Sequence, residues 1–225
     1  MKIHNLAIIL ARKGSKRLKN KNFRLLNGKP LIYWTILKAK QSKIFDNIIV
    51  STDSKKIKSF SLSNKVISPW IRPKRLSLDN TKSESSALHA LKWYENHFNK
   101  KVDCVTLLQP TSPFRSLKNL RLALKLFIKH QFNNVVTVSL SNDKKSKNLF
   151  FFKKPYCYKI KYNRNFKNKY AMNGNIFVIS AKNLKNKKKF SDSKFIPLFI
   201  KSKRESLDID TKKDLNIAKK ISKNE

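Results

Sequence analysis

A basic loop, residues 12–22, is the first candidate for chemistry, because it directly follows an apolar run of strand length. The loop reads R-K-G-S-K-R-L-K-N-K-N and carries six basic side chains, one Gly and no acid. Open α/β sheets present phosphate-binding sites where a buried strand ends in such a loop. An ordinary basic loop or a localisation-type cluster is the alternative, since the spacing matches neither G-x-x-x-x-G-K-S/T nor G-x-G-x-x-G. Backbone N–H groups and cations for a polyphosphate would come from Arg12, Gly14, Ser15, Lys16 and Lys21.

Two alternating carboxylates near the carboxyl end of the chain, Asp208 and Asp210, are the second candidate. On an extended segment they face the same side, and such a pair suits a hard divalent cation that bridges phosphates. The alternative is structural, because Thr211 and Asp214 have the spacing of a helix capping box. Capping does not require Asp208. The chain has only thirteen Asp and Glu residues, and three of them, Asp208, Asp210 and Asp214, fall within residues 208–214. This concentration of acids favours a metal site.

Polar residues at two further junctions complete the candidate set. The sequence L-L-Q-P-T-S-P ends an apolar segment, and ligand contacts are expected at the carboxyl end of a central strand. Gln109, Thr111 and Ser112 lie there. Arg72 and Arg75 lie in an irregular segment upstream, near Asp79 and Ser83, and surface salt bridges are the alternative for these two arginines. The four His show no ligand spacing, and no Ser-His-Asp or Cys-His arrangement is visible.

The elements that must position these residues alternate between strands and helices. Apolar runs predict strands at 5–11, 47–50, 103–108, 134–140, 174–180 and 195–200, with a brief strand at 66–67. Helical spacing predicts helices at 30–42, 83–97, 117–130 and from about 211. This alternation indicates an α/β fold with a mainly parallel sheet covered on both faces, in one domain over 1–225. Residues 141–172 are rich in Lys, Asn and aromatics and predict a β-ribbon insert, a candidate dimer contact.

The composition is strongly basic, with a formal net charge of +39. Nucleic acid is the first partner that such a charge suggests. The excess is mostly Lys spread over every segment, however, which also fits genome-wide codon bias, and no nucleic-acid-reading motif is present. The two Cys match no metal or redox spacing and indicate a reducing compartment. Arg12 follows the first apolar run too soon for a signal peptide, so the sequence predicts a soluble, cytoplasmic protein that does not enter a membrane.

A family resemblance runs along nearly the whole chain in a fixed order of blocks. The blocks are L-A-R-K-G-S-K-R-L-K-N-K-N, L-L-N-G-K-P-L-I-Y-W-T-I, F-D-N-I-I-V-S-T-D-S, R-P-K-R-L-S-L-D-N-T-K-S, L-L-Q-P-T-S-P-F-R-S, M-N-G-N-I-F-V-I and S-L-D-I-D-T-K-K-D-L. The chain resembles the acylneuraminate cytidylyltransferases (CMP-sialic acid synthetases). The resemblance implies a three-layer Rossmann-like nucleotidyltransferase and a homodimer built partly by an inserted β-hairpin. It also implies transfer of CMP from CTP to an acidic nine-carbon sugar, with Mg²⁺ as cofactor and Mn²⁺ as the alternative ion.

The same resemblance assigns roles residue by residue. Catalysis would rest on Arg12, Lys21 and Asp210, and the metal on Asp208 and Asp210. The nucleotide would be bound by Ala11, Arg12, Gly14, Ser15, Lys16, Lys21, Asn22, Arg72 and Ser83. The sugar acid would contact Gln109, Thr111, Ser112, Lys147 and Arg164, the last two from the hairpin region.

Three departures from the family pattern bear on the identity of the sugar. Lys19 stands where a Pro is common, Arg17 stands where many sialic acid enzymes have Gly, and Phe166-Lys167 replaces an expected Leu-Pro pair. Relatives that act on legionaminic or pseudaminic acid often have Arg at the position of Arg17, which favours a bacterial sialic acid analogue. Two alternatives stay open: a 3-deoxy-octulosonate cytidylyltransferase, and a nucleic-acid-binding protein on a degenerate transferase scaffold.

Overall fold

The computed structural model describes residues 3–141, 149–160, 166–186, 189–191 and 194–223. The strands of this part of the chain are β1 (Asn5–Leu10), β2 (Leu25–Leu26), β3 (Lys29–Pro30), β4 (Asn47–Ser51), β5 (Cys104–Leu108), β6 (Val135–Leu140), β7 (Leu149–Lys153), β8 (Tyr156–Lys159), β9 (Tyr170–Ser180) and β10 (Lys194–Phe199). Its α-helices are α1 (Leu31–Ser42), α2 (Lys55–Ser63), α3 (Ser83–Phe98), α4 (Leu117–Lys129), α5 (Ala181–Lys185) and α6 (Lys212–Lys223).

A mixed sheet of eight strands forms the middle layer, in the order β4-β1-β5-β9-β6-β10-β8-β7. Strands β4, β1 and β5 pair in parallel, and so do β6 and β10. Strand β9 lies between β5 and β6 and is antiparallel to both. The carboxyl ends of β4, β1, β5, β6 and β10 therefore all lie at one edge of the sheet. The predicted α/β fold with a mainly parallel sheet is confirmed.

Helices cover both faces of this sheet. Along β1, Leu6 and Ile8 face an apolar cluster that includes α3, whereas Ala7 and Ile9 face a second cluster with α1 and α4. A strand buried on both faces has no polar alternation, which is why this segment reads as a continuous apolar run. A third, smaller cluster packs α6 against the start of α1 and contains Ile209.

The predicted ribbon insert is present in part. Strands β7 and β8 form an antiparallel hairpin at the sheet edge, where β8 pairs with β10 and β7 with β9. Residues 142–148 and 161–165 of this region lie outside the described residues. The role of the ribbon in dimerisation stays a prediction.

Two predicted strands differ from the structure. The strand predicted at 174–180 begins earlier, at Tyr170, because residues 170–172 pair with β6 beyond a register shift between Val136 and Val138. The brief strand predicted at 66–67 is a single bridge between Ile49 and Ile67. None of the described helices is long and apolar enough to cross a membrane.

Candidate active site

The basic loop begins at the carboxyl end of β1, at the edge of the sheet where the carboxyl ends of β4 and β5 also lie. The Ala11 N–H donates to the Ser51 carbonyl over 3.0 Å and so extends the pairing of β1 with β4 by one residue. The buried Asn22 amide donates to the Arg12 carbonyl over 2.9 Å, which holds the returning arm of the loop against its first residue. The loop is thus closed on itself next to the strand end.

A polar pocket of about 270 Å³ opens at this edge. Eight of the residues that were predicted to bind nucleotide or sugar line it together. They are Arg12, Ser15, Lys21, Asn22, Arg72, Ser83, Gln109 and Thr111. Residues from three separate segments of the chain therefore meet in one cleft, as the parallel-sheet argument predicts.

The remaining predicted residues do not line this pocket. Ala11 is fully buried behind it, and the Ser112 hydroxyl is buried with no hydrogen-bond partner among the described residues. Gly14 has no positive φ, and a Cβ built there would have nothing within 4 Å, so the backbone itself does not require glycine. Lys147 and Arg164 lie outside the described residues.

Asp79, which the site prediction omitted, joins two loop cations at the pocket wall. Its carboxylate accepts Arg12 Nη1 at 2.6 Å and Lys16 Nζ at 2.9 Å. The hydrogen bond from Lys16 and the charges of both cations lower the pKa of Asp79. Asp79 is one of few acids in a basic chain, and that scarcity was the signal that could have identified it.

Arg72 supplies a buried cation to the same pocket. Its backbone N–H donates to the Thr52 carbonyl over 2.6 Å, and its guanidinium Nε lies 3.3 Å from the Ser77 hydroxyl. Burial lowers the pKa of Arg72, while the charge of Asp53 opposes that shift. Within the described part of the chain the guanidinium has one side-chain hydrogen-bond partner, Ser77, so it is available for an anionic or polar ligand in the pocket.

The segment 208–210 is anchored beside the end of β5. The buried Ile209 packs in the third apolar cluster, and its N–H donates to the Thr111 carbonyl over 2.9 Å. The Asp210 carboxylate pairs with Arg17 and with Lys21, whose Nζ lies 2.7 Å from Oδ1. The second carboxylate of the predicted metal site therefore contacts the basic loop directly.

Asp208 differs from Asp210 in its environment. Its Oδ1 is buried and has no hydrogen-bond partner among the described residues. Burial raises the pKa of Asp208, against the opposing effects of Thr111 and Lys21, and the neighbouring Asp210 adds to the rise. An orphaned buried carboxylate oxygen beside a second carboxylate is a donor arrangement that fits a hard divalent cation.

Capping also occurs in this segment, as the alternative predicted. The Asp214 carboxylate accepts the Thr211 N–H at 2.8 Å, and the Thr211 hydroxyl accepts the Asp214 N–H at 3.2 Å. This reciprocal pair explains Thr211 and Asp214 and leaves the carboxylates of Asp208 and Asp210 outside the box. No cluster of three or more His, Cys, Asp and Glu that could bind a metal occurs among the described residues.

Gly174 joins the two halves of the site. It has φ +73°, and a Cβ placed on it would lie 3.1 Å from Gln109 Oε1 and 3.4 Å from Asp208 Oδ2. The side chain predicted to bind sugar and the carboxylate predicted to bind metal thus converge on one glycine. This glycine permits both a left-handed backbone and the close approach.

Comparison with known proteins agrees with this architecture. A protein-family model described as "Cytidylyltransferase" matches residues 6–225. The CMP:2-keto-3-deoxy-manno-octonic acid synthetase, solved in complex with CTP, superposes with a TM-score of 0.78 at 14% identity over 98% of this chain and 99% of that one. At that identity the likeness concerns the fold.

Sequence relatives are closer. A CMP-N,N'-diacetyllegionaminic acid synthase of Legionella pneumophila is 36% identical over 96% of this chain and 95% of its own length. An N-acylneuraminate cytidylyltransferase of Escherichia coli is 35% identical over 97% of this chain, which spans 52% of that enzyme. A pseudaminic acid cytidylyltransferase of Campylobacter jejuni is 37% identical over 56% of this chain and 54% of its own length. The chain belongs to the cytidylyltransferase family.

Proposed function

We propose that this protein transfers CMP from CTP to the anomeric hydroxyl of a nonulosonic acid, giving the CMP-sugar and pyrophosphate. The observation that carries the proposal is the convergence of a cationic loop, a polar pocket and two carboxylates at one sheet edge. Family membership and the names of the sequence relatives support both the reaction and the class of acceptor.

The nucleotide half of the site is proposed to be the basic loop and the pocket wall facing it. Arg12, Lys16 and Lys21 hold the triphosphate, while Gly14 and Ser15 contribute backbone N–H groups. The base and ribose contact Asn22, Arg72 and Ser83, and Ala11 forms the floor at the end of β1. Because little covalent chemistry falls to the protein, positioning and neutralisation of charge dominate.

The transfer itself is an in-line displacement at the α-phosphorus. The anomeric oxygen of the acid forms a bond to phosphorus, the bond to the bridging oxygen breaks, and pyrophosphate leaves with its electron pair. The hydroxyl proton passes to solvent. Arg12 and Lys21 stabilise the charge that grows on the α-phosphate and on pyrophosphate.

A divalent cation, Mg²⁺ or Mn²⁺, is proposed to bind at Asp208 and Asp210. When bound it would neutralise phosphate charge and favour the ionised form of the attacking hydroxyl. Lys21 and Arg17 also contact Asp210, and their movement toward a bound triphosphate would leave that carboxylate free to hold the ion.

The acceptor half is proposed to be the end of β5, with Gln109 contacting the sugar acid and Thr111 and Ser112 beside it. Lys147 and Arg164, assigned from the sequence, would add cations from the ribbon. The legionaminic, sialic and pseudaminic acid relatives support an acceptor of the nonulosonic acid class.

The test is to incubate the protein with CTP, Mg²⁺ and a panel of sialic, legionaminic and pseudaminic acids and to measure pyrophosphate release. 3-Deoxy-octulosonate serves as the comparison acid. We expect release with at least one nonulosonic acid. If no nonulosonic acid of the panel gives pyrophosphate release, or if only 3-deoxy-octulosonate does, the proposal is contradicted.

A matched pair of variants separates metal binding from helix capping. Asp210→Asn is expected to abolish metal-dependent turnover and to leave the fold intact, whereas Asp214→Asn lowers the melting temperature and retains turnover. If Asp210→Asn lowers the melting temperature and retains metal-dependent turnover, Asp210 has a structural role through its ion pairs with Arg17 and Lys21 and no catalytic one.

We further propose that residues 1–225 act as one domain in a cytoplasmic homodimer. The exposed side chains of Leu140, at the end of β6, and of Phe152, in β7, support a contact between copies. The free, buried Cys104 and Cys157 agree with a reducing compartment. Light scattering during size-exclusion chromatography tests the dimer, and a monomer mass at micromolar concentration contradicts it.

A further inference from the structure

Arg115 is a fully buried guanidinium that no role described so far uses. It follows the β5 end and precedes α4, and it is 1% exposed. Its Nε and Nη2 donate to the Asn175 carbonyl over 3.0 and 2.7 Å, and Nη2 also donates to the Gln109 carbonyl over 3.0 Å. Nη1 lies 3.3 Å from the Thr35 hydroxyl. One side chain therefore joins α1, the end of β5 and β9.

The partners of this cation are unusual because all of them are neutral. No carboxylate in the described part of the chain lies within ion-pair distance of Arg115. Burial lowers its pKa to about 9, and the charge of Glu205 opposes the shift from a greater distance. Burying a cation without a paired anion is costly. A geometric function at this point in the fold accounts for that cost.

The network continues to the carboxylate segment. The Asn175 amide donates to the Glu205 carbonyl over 2.9 Å, three residues before Asp208. The Glu205 carboxylate in turn accepts the Ser116 N–H and hydroxyl, each at 3.0 Å, at the start of α4. Arg115 and Asn175 together fix three segments that contribute to the site.

These bonds flank the place where the acceptor and metal halves meet. Asn175 follows Gly174, the residue on which the Gln109 side chain and the Asp208 carboxylate converge. Arg115 donates to the backbone carbonyl of Gln109 and to that of Asn175, and so ties the two residues together next to that contact. Movement of one carbonyl relative to the other changes the separation of Gln109 and Asp208.

We infer that Arg115 is a positioning residue of the active site, which sets the distance between the acceptor-binding Gln109 and the Asp208 carboxylate. The inference rests on the proposed function for the roles of those two residues. A planar guanidinium donates to three acceptors in fixed directions, and a compact ammonium on a flexible stem does not reproduce that geometry. Lysine at position 115 therefore keeps the charge and loses the alignment.

The experiment compares Arg115→Lys with Arg121→Lys, an exposed arginine of α4 whose Nε lies 3.4 Å from the Ser42 carbonyl. For each variant, kcat and the KM of the sugar acid are measured together with the Kd of CTP. In Arg115→Lys the ratio kcat/KM for the acid is expected to fall on the order of a hundredfold, as misplacement by about 1 Å does in other enzymes. The Kd of CTP stays within about twofold, because the alignment lost is that of the acceptor side. Arg121→Lys behaves as wild type.

A purely structural role gives a different pattern. Equal loss of CTP and acid binding in Arg115→Lys, in step with a lower melting temperature, overturns the inference, and so do unchanged kinetics. If Arg115→Lys does not fold, Thr35→Val is the second variant, because it removes one of the acceptors and retains the cation. Its kcat/KM for the sugar acid and its Kd for CTP are compared in the same way. A wild type that releases no pyrophosphate contradicts the proposed function alone. Hydrogen exchange then decides: faster exchange confined to residues 109–112 and 172–176 in Arg115→Lys supports the positioning role, and unchanged exchange there overturns it.

Discussion

Replacing Asp208 by Asn is expected to make the protein more stable and less active. The Asp208 carboxylate is partly buried beside Gly174, and its Oδ1 has no hydrogen-bond partner among the described residues. Burial raises the pKa of this group, so the folded protein disfavours its ionised form. Asparagine keeps the shape of the side chain and removes the charge.

The direction and size of the effect follow from linkage. A carboxyl whose pKa is raised on folding adds stability below its unfolded pKa, and this contribution is lost as the pH rises through the folded pKa. At pH 7 the ionised Asp208 therefore lowers the free energy of unfolding. A buried polar group without a partner costs about 1–3 kcal/mol. We take the lower end, about 1 kcal/mol, because Lys21 attracts the carboxylate and asparagine still buries an oxygen. For a chain of this size that corresponds to a rise in Tm of about 2–4 °C.

The assay is thermal unfolding of the wild type, Asp208→Asn and Asp210→Asn between pH 8 and 5, without added metal. Asp208→Asn is expected to unfold at a higher temperature at pH 8, and the gain shrinks as the pH falls through the raised pKa of Asp208 in the folded protein. Asp210→Asn is the control, in which Tm is expected to fall. The Asp210 carboxylate pairs with Arg17 and Lys21, and the substitution removes these ion pairs. A lower Tm for Asp208→Asn at pH 7 would refute the reasoning. Pyrophosphate release should be lost in both variants.

Three further perturbations test separate parts of the structure. Arg12→Ala is expected to reduce turnover on the order of a hundredfold, as loss of one charge-stabilising donor does elsewhere; near-normal turnover in a pyrophosphate assay excludes that role. Gly174→Ala puts a side chain on a residue with φ +73°, which costs roughly 1–2 kcal/mol of stability from the backbone alone. The added Cβ would also lie 3.1 Å from Gln109 Oε1, so the KM of the acid is expected to rise. An unchanged Tm and KM argue against the close approach. Thr211→Ala removes the hydroxyl that accepts the Asp214 N–H and lowers stability by about 1 kcal/mol in denaturant unfolding, with turnover retained at 25 °C; loss of turnover in folded protein would point to more than a capping role.

Most of the fold could be predicted from apolar periodicity. Helices α3 and α4 begin at the predicted residues, and the central strands lie within one residue of their predicted ends. The early start of β9 was missed because residues 170–172 pair with β6 across a register shift, next to the polar Asn173. Such pairing depends on a distant strand and leaves no local pattern.

The candidate site was predictable to the extent that it follows from strand direction. Residues after β1 and β5 had to share an edge once the sheet was parallel, and Arg12, Lys21 and Gln109 line one pocket there. Asp79 and Arg115 were missed as site residues, because their contacts join segments far apart in sequence. Both belong to residue types that are scarce in this Lys-rich chain, and that scarcity was the available signal.

The pairing of the loop cations with Asp79 and Asp210 has a consequence for ionic strength. Four basic side chains of the loop share two carboxylates of the same protein. Arg12 and Lys16 pair with Asp79 at 2.6 and 2.9 Å, and Arg17 and Lys21 pair with Asp210. A triphosphate that binds there exchanges fixed carboxylates for phosphates, and fewer dissolved ions are released than when unpaired lysines meet a nucleic acid. Affinity for CTP should therefore depend weakly on salt, while adsorption of nucleic acid to the +39 surface depends on it steeply. Raising the salt concentration separates the two.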